Sequence, residues 1–172
     1  MWVWEEPSTI VFFALPPMDN IKRVLVVCLG NICRSPMGEG VLRNAAKGLN
    51  MDFDSAGTQG YHTGDAPDPR AVQCMKDHGI DIAHLAARKF SARDFESFDL
   101  ILTMDGQNFR DVLIMAPNEA SRKKVKPFLE PLSMSGANEV PDPYYGNQRD
   151  FDRVFELCSQ AAALWCEQWK GQ

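Results

Sequence analysis

Val24-Leu25-Val26-Val27-Cys28-Leu29-Gly30-Asn31-Ile32-Cys33-Arg34-Ser35-Pro36 decides how the rest of the chain is read. Its first four residues are apolar at every position. That is the pattern of a parallel strand buried on both faces. Its end carries helix-start signals: Ser35 is a good N-cap and Pro36 suits the first helical position. Between them lies a tight turn holding a thiol, a glycine and an arginine. Backbone N–H groups in such a turn and at a helix N-terminus point at a bound anion. The same field favours the thiolate of Cys28. Arg34 adds a planar fork that can hold two phosphate oxygens at once. The chemistry suggested is attack of sulfur on phosphorus. Cysteine and arginine with five residues between them meet by chance often enough, and the bland reading is a buried cysteine beside a surface arginine. The strand, the internal glycine and the closing Ser-Pro make the segment specific.

Working outward, the helix after Pro36 is expected to run to about Lys47, with Met37, Val41, Leu42 and Ala45 inward and Gly48 as its stop. Residues 51–56 alternate like a half-exposed edge strand. A glycine-rich loop leads to Asp68-Pro69, a second cap-then-proline start, whose helix closes at His78-Gly79. Residues 80–87 read as irregular, followed by a short strand at 88–90. Residues 99–104 form the second strongly apolar strand, and Asp105 caps the helix carrying Phe109, Val112 and Leu113. Residues 125–129 are a weak fourth strand, and 136–147 are loop. The last helix starts near Asp150, with a stripe of Phe151, Val154, Phe155, Cys158, Ala162, Trp165 and Trp169. The expected fold is α/β: a three-layer, four-stranded parallel sheet of order 2-1-3-4 with helices on both faces. Its connections are right-handed, and the phosphate loop follows the first strand. Ligands in such folds bind beyond the carboxyl ends of the strands, where strand order reverses. The Cys28 loop leaves that end.

The chain of 172 residues suits one domain. A net charge of −5 without a basic block argues against nucleic-acid binding. No apolar stretch reaches membrane-spanning length. Five scattered cysteines, Cys28, Cys33, Cys74, Cys158 and Cys166, do not read as a disulfide framework. A reducing cytoplasm is the expected compartment. Residues 1–18 read as an N-terminal extension and 19–172 as the domain. The extension is apolar and aromatic, carries Glu5 and Glu6 but no basic residue, and ends in Pro16-Pro17 ahead of Met18. It does not match a secretory signal. It is either a non-native or disordered piece ahead of a true start at Met18, or a short membrane-surface or partner-binding tail.

Sulfur attack on a phosphate ester needs a proton donor for the leaving oxygen and a base for the later water, and one carboxyl group can do both in succession. Asp142, in the Asp142-Pro143-Tyr144-Tyr145-Gly146 turn, is the best candidate, because Pro143 restricts its backbone. On composition alone Asp65, Asp68 and Asp105 compete. With Val27 to Pro36, Asp54-Ser55-Ala56-Gly57-Thr58, Met104-Asp105 and this turn, the chain resembles the low-molecular-weight protein tyrosine phosphatases over residues 22–169. The resemblance implies that Cys28 is the nucleophile and forms a phosphocysteine. It implies that Arg34 binds the phosphoryl oxygens with the loop residues Leu29, Gly30, Asn31, Ile32, Cys33 and Ser35, and that Asp142 is general acid and then base. Asn31, expected in a left-handed conformation, is braced in the family by a hydroxyl and a histidine, matched here by Ser55 and His84. Ser35 is expected to have two duties, capping the helix and giving its hydroxyl to the Cys28 thiolate, with the cap alone as the bland reading. Asp105 either assists the loop or serves only as a helix cap. Tyr61, Tyr144, Tyr145 and Leu29 match cleft walls that clasp a phenyl ring. Cys33 matches a redox partner of the nucleophile. Gly57 departs from the alanine often expected there.

The substrates implied are tyrosine-phosphorylated proteins and small aryl phosphates. No cofactor or metal is called for, and a monomer or weak homodimer is expected. Two rivals stand beside this reading. A thiol-dependent arsenate reductase would relay electrons through a closely spaced cysteine pair on a mobile segment after the third strand; here Cys74 stands alone, and the chain has Asp142-Pro143-Tyr144 instead. A phosphoprotein-binding module would have the loop without turnover.

Overall fold

The computed structural model describes residues 20–172; the N-terminal extension and the start at Met18 lie outside the described residues. Four strands, β1 (Arg23–Cys28), β2 (Asp52–Gly57), β3 (Leu100–Thr103) and β4 (Val125–Pro127), form one sheet in the order β2-β1-β3-β4. All three pairings are parallel. The central strand β1 sends Val24 and Val26 into one core and Leu25 and Val27 into the other. That two-sided burial is why its apolar run has no alternation.

Among the described residues, six α-helices cover the two faces: α1 (Arg34–Ala45), α2 (Pro69–Asp77), α3 (Asp94–Ser97), α4 (Gly106–Met115), α5 (Glu119–Lys123) and α6 (Gln148–Lys170). The larger core packs α1 and α6 on one face, with Met37, Leu42, Phe151, Val154 and Trp165 among its buried members. Trp165 is fully buried and donates its indole N–H to the Phe128 carbonyl at 2.8 Å. Truncating such a side chain costs about 3–5 kcal/mol. The smaller core holds Phe90, Phe95, Val112 and Val125 against the opposite face. Among the described residues, no helix is long and apolar enough to cross a membrane.

Several local expectations are corrected. Helix α1 begins at Arg34, so Cys33 is its N-cap, and Ser35 lies inside the first turn with its hydroxyl turned into the loop. The helix ends at Ala45, and it is Ala46 rather than Ala45 that is buried. Residues 88–90 make only a single bridge, Gly57 to Lys89. Helices α3 and α5, four and five residues long, were not expected. Helix α6 starts at Gln148, two residues before Asp150, because Asn147 and Asp150 form a capping box. The Asp68 cap of α2 and the Asp105 cap of α4 are as expected.

The chain runs from β1 through α1 to β2 on one side, then crosses back to β3 on the other. Strand order therefore reverses at the carboxyl end of β1, where Cys28 sits.

Candidate active site

Cys28 is the last residue of β1 and is buried. The turn after it is held by Asn31, whose φ of 58° is left-handed, a conformation asparagine tolerates better than most residues. Its N–H donates to the Cys28 sulfur at 3.3 Å. Its side chain is saturated: Nδ2 donates to Ser35 Oγ at 2.8 Å and Ser55 Oγ at 2.9 Å, and Oδ1 accepts the Arg88 N–H at 2.9 Å.

The direction of this network follows from proton counting. Ser55 gives its one hydroxyl proton to Glu39 Oε2 at 2.7 Å, so it accepts from Asn31. Asn31 gives its second amide proton to Ser35, which leaves the Ser35 proton free. Ser35 Oγ lies 3.0 Å from the Cys28 sulfur, where either atom can donate, and 3.4 Å from the Ala56 carbonyl, to which its hydroxyl can also donate. When the sulfur is ionised it can only accept, and the Ser35 proton then has the sulfur as its closer acceptor. Glu39 is buried at the far end and is paired with Arg43 at 2.7 Å.

Arg34 is buried beneath the same turn. Its Nη1 donates to Asp105 Oδ2 at 2.5 Å and to the Val140 carbonyl at 3.3 Å, and its Nη2 to Asp142 Oδ2 at 3.2 Å. Burial pushes the guanidinium pKa down, but Cys28, Asp105 and Asp142 outweigh it and hold it above its ordinary value. Asp105 divides its oxygens: Oδ2 holds Arg34 while Oδ1 accepts the Asn108 N–H at 2.7 Å as the helix cap. Asp105 therefore caps α4 and also holds Arg34.

These groups open into a cavity of about 360 Å³. Cys28, Cys33 and Arg34 line it with Leu29, Gly30 and Ile32, Tyr61 and Tyr144 form walls with Tyr145, and Asp142 is the aspartate of the four weighed that reaches it. Asp65 instead pairs with His62 at 3.1 Å, and Asp68 caps α2 and holds Arg70. The side chain of Asp142 is 46% exposed, so the carboxyl group has access to solvent water. Cys33 is pushed up to about 12 by burial, then by Asp68 and Cys28, so it remains a thiol at neutral pH. Gly57 is explained by close approach: a Cβ there would sit 2.8 Å from the Leu29 carbonyl oxygen.

His84 is not where the resemblance placed it. It is exposed and lines a separate groove with Glu39 and Arg43. The irregular segment after Ile80 carries it outward, and Ser35, Ser55 and the Arg88 N–H already occupy the Asn31 amide. Sequence reasoning missed Glu39, Arg88 and His62. Glu39 stands four residues after Ser35 on the inward face of α1, a spacing that could have revealed it. His62 follows Tyr61 in the same loop; the contact of Arg88 is long-range and left no local signal.

The family model for low molecular weight phosphotyrosine protein phosphatase matches residues 23–172. The chain belongs to this family. The fission yeast low molecular weight phosphotyrosine protein phosphatase is 47% identical over 139 residues, covering 78% of this chain and 88% of that protein. The human one is 42% identical over 153 residues, covering 85% and 94%. The crystal structure of a protein tyrosine phosphatase from Entamoeba histolytica superposes with a TM-score of 0.83 at 33% identity, covering 87% of this chain and 97% of that one. The family match spans both the Cys28 turn and the Asp142 turn, so the two segments that meet at Arg34 fall within one family domain.

Proposed function

We propose that this chain hydrolyses phosphotyrosine in proteins, and small aryl phosphates, through a phosphocysteine intermediate. One observation carries the reading: Cys28, Arg34 and Asp142 line a single cavity, with the Ser35 hydroxyl 3.0 Å from the sulfur and the Asn31 N–H donating to it. The Cys28 thiolate attacks phosphorus as the bond from phosphorus to the tyrosyl oxygen breaks. Asp142 gives its proton to the departing oxygen, then takes one from the water that cleaves the sulfur–phosphorus bond. Arg34 and the turn's N–H groups meet the charge on the equatorial oxygens, where phosphoryl transfer needs it. Because that positive charge comes from the protein, the reading calls for no metal. Tyr61 and Tyr144, with Tyr145, make the cavity deep enough for an aryl ring and favour phosphotyrosine over the shorter phosphoserine.

Cys33 lines the same cavity, and we propose that it protects the nucleophile. Peroxide converts Cys28 to its sulfenic acid, and the Cys33 thiol condenses with it, releasing water and forming a disulfide that thiols reduce. A reducing cytoplasm fits a catalyst of this kind.

The test is steady-state kinetics on phosphotyrosine and phosphoserine peptides, with reductant and chelator, for the wild type and Cys28→Ser. Turnover of phosphotyrosine alone is expected, and Cys28→Ser should lose roughly 10⁴-fold or more while still binding phosphate analogues. Near-wild-type activity in Cys28→Ser would remove the nucleophile, and arsenate reduction without phosphatase activity would favour the reductase.

A further inference from the structure

We propose that Arg70 is a positioning residue that holds Asp142 over the cavity by clamping the two carbonyls that follow it. This rests on Asp142 being the general acid.

Residues 141–146 contain no helix or strand. Their backbone bonds are internal: Tyr144 N–H to Asp142 Oδ1 at 3.2 Å and Gly146 N–H to the Pro143 carbonyl at 2.9 Å. Pro143 has no N–H to give. Among the described residues, two side chains bond this turn from outside. Arg34 does so at the Asp142 carboxylate, and Arg70 does so at the Tyr144 carbonyl, 2.9 Å, and the Gly146 carbonyl, 3.3 Å. Arg34 must also serve the phosphoryl group, so its bond to Asp142 competes with substrate. Arg70 has no such second duty.

Arg70 is itself fixed. Its Nε and Nη2 donate to the two oxygens of Asp68 at 3.0 and 2.8 Å, and its guanidinium lies 4.7 Å above the buried Phe151 ring. Asp68 in turn donates its N–H to the Ile32 carbonyl, 2.8 Å, in the nucleophile's turn. A continuous line therefore runs from the Cys28 loop through Asp68 and Arg70 to the Asp142 loop. A planar fork bridging a carboxylate and two carbonyls is work that lysine cannot reproduce.

A residue acting through the acid must matter most when the leaving oxygen needs a proton. The experiment compares wild type, Arg70→Ala, Arg70→Gln, Asp142→Asn and the Arg70→Gln/Asp142→Asn double variant. Substrates are phenyl, 4-nitrophenyl and 2,4-dinitrophenyl phosphate. The readout is kcat/KM, which ends at departure of the leaving group and so excludes the hydrolysis of the phosphocysteine that all three esters share. With either Arg70 variant kcat/KM for phenyl phosphate should fall about 10-fold, a part of the roughly 10²–10⁴-fold a general acid contributes. The kcat/KM of the dinitrophenyl ester should change less than about 2-fold on the same argument. In the Asp142→Asn background the Arg70 change should have no further effect. Equal loss of kcat/KM for all three esters, or losses that add in the double variant, would overturn the proposal. Arg70→Gln retains the stem over Phe151, so the question stays answerable if the alanine variant does not fold. If Asp142→Asn itself shows no leaving-group dependence, the assignment of the acid has failed instead, and the Arg70 proposal falls with it.

Discussion

The turn after β1 and the turn before α6 face the same cavity but are built differently. The first has a buried floor, at Cys28, Asn31 and Cys33, and is bonded from three directions: Asn31 reaches Ser35 in α1, Ser55 in β2 and the Arg88 backbone. The second is exposed and is bonded from outside by two arginines, Arg34 at the Asp142 carboxylate and Arg70 at the Tyr144 carbonyl. The proposed chemistry accounts for the contrast. Stabilising phosphoryl charge requires N–H groups fixed before substrate arrives, since dipoles that must reorient lose their advantage. An acid that also activates water needs solvent on one side. Rigidity is thus placed at the nucleophile and access at the acid.

The widest break in that comparison is at the acid. Asp142→Asn keeps the turn's shape, because an amide can still accept from Tyr144 N–H, but removes the transferable proton. The kcat/KM of phenyl phosphate, which ends at departure of the leaving group, should fall roughly 100-fold or more, while that of esters with good leaving groups falls little. A leaving-group series measures this, and uniform slowing would mean that Asp142 only orients Arg34.

Asn31→Ala probes the buried turn. It strips partners from Ser35, Ser55 and the Arg88 N–H at once and leaves alanine at a φ of 58°. Unpaired buried groups cost about 1–3 kcal/mol, and the left-handed backbone about 1–2 kcal/mol more. The melting temperature should drop. Turnover should drop on the order of 10-fold for every leaving group, less than the roughly 10²–10³-fold of losing a direct donor. That uniformity separates the two turns. If Asn31→Ala instead selected against poor leaving groups, the division of labour argued above would be wrong.

How far the sequence could be read follows the same division. The apolar run of β1, the Asp68 and Asp105 caps and the stripe of α6 are local patterns, and each became the element it announced. Of the two duties expected of Ser35 only the cap fails: a serine before a proline is a helix-cap signal, yet Cys33 takes that position, and the Ser35 hydroxyl lies against the Cys28 sulfur and Asn31. Helices α3 and α5 are too short to show a period, although Asn118 caps α5 as a polar residue before a helix should. Arg70 bonds a carbonyl 74 positions away, and Arg88 serves Asn31 across 57. Contacts at such separation are made by the sheet's topology, and no window of sequence contains them. His84 shows the converse, a position matched by resemblance that the irregular segment turns outward.

The smallest expected effect concerns the tie between the turns. The Arg70 side-chain hydrogen bonds hold the Asp68 carboxyl below its ordinary pKa against the opposing push of burial. A carboxylate whose folded pKa is depressed adds stability above its unfolded value, near about 3.9 for aspartate, and loses it as pH falls through the folded value. Arg70→Gln removes that contribution, so the variant should melt below the wild type at pH 7 and at pH 5. The gap should narrow as Asp68 is protonated on going to pH 3 and below, without closing, because the bonds from Arg70 to the Tyr144 and Gly146 carbonyls carry no proton to titrate. Thermal melts of both proteins across that range measure it. A gap that stays constant to the lowest pH would mean that Arg70 contributes through its carbonyl bonds and its contact with Phe151 alone, leaving the Asp68 link between the two turns without energetic content.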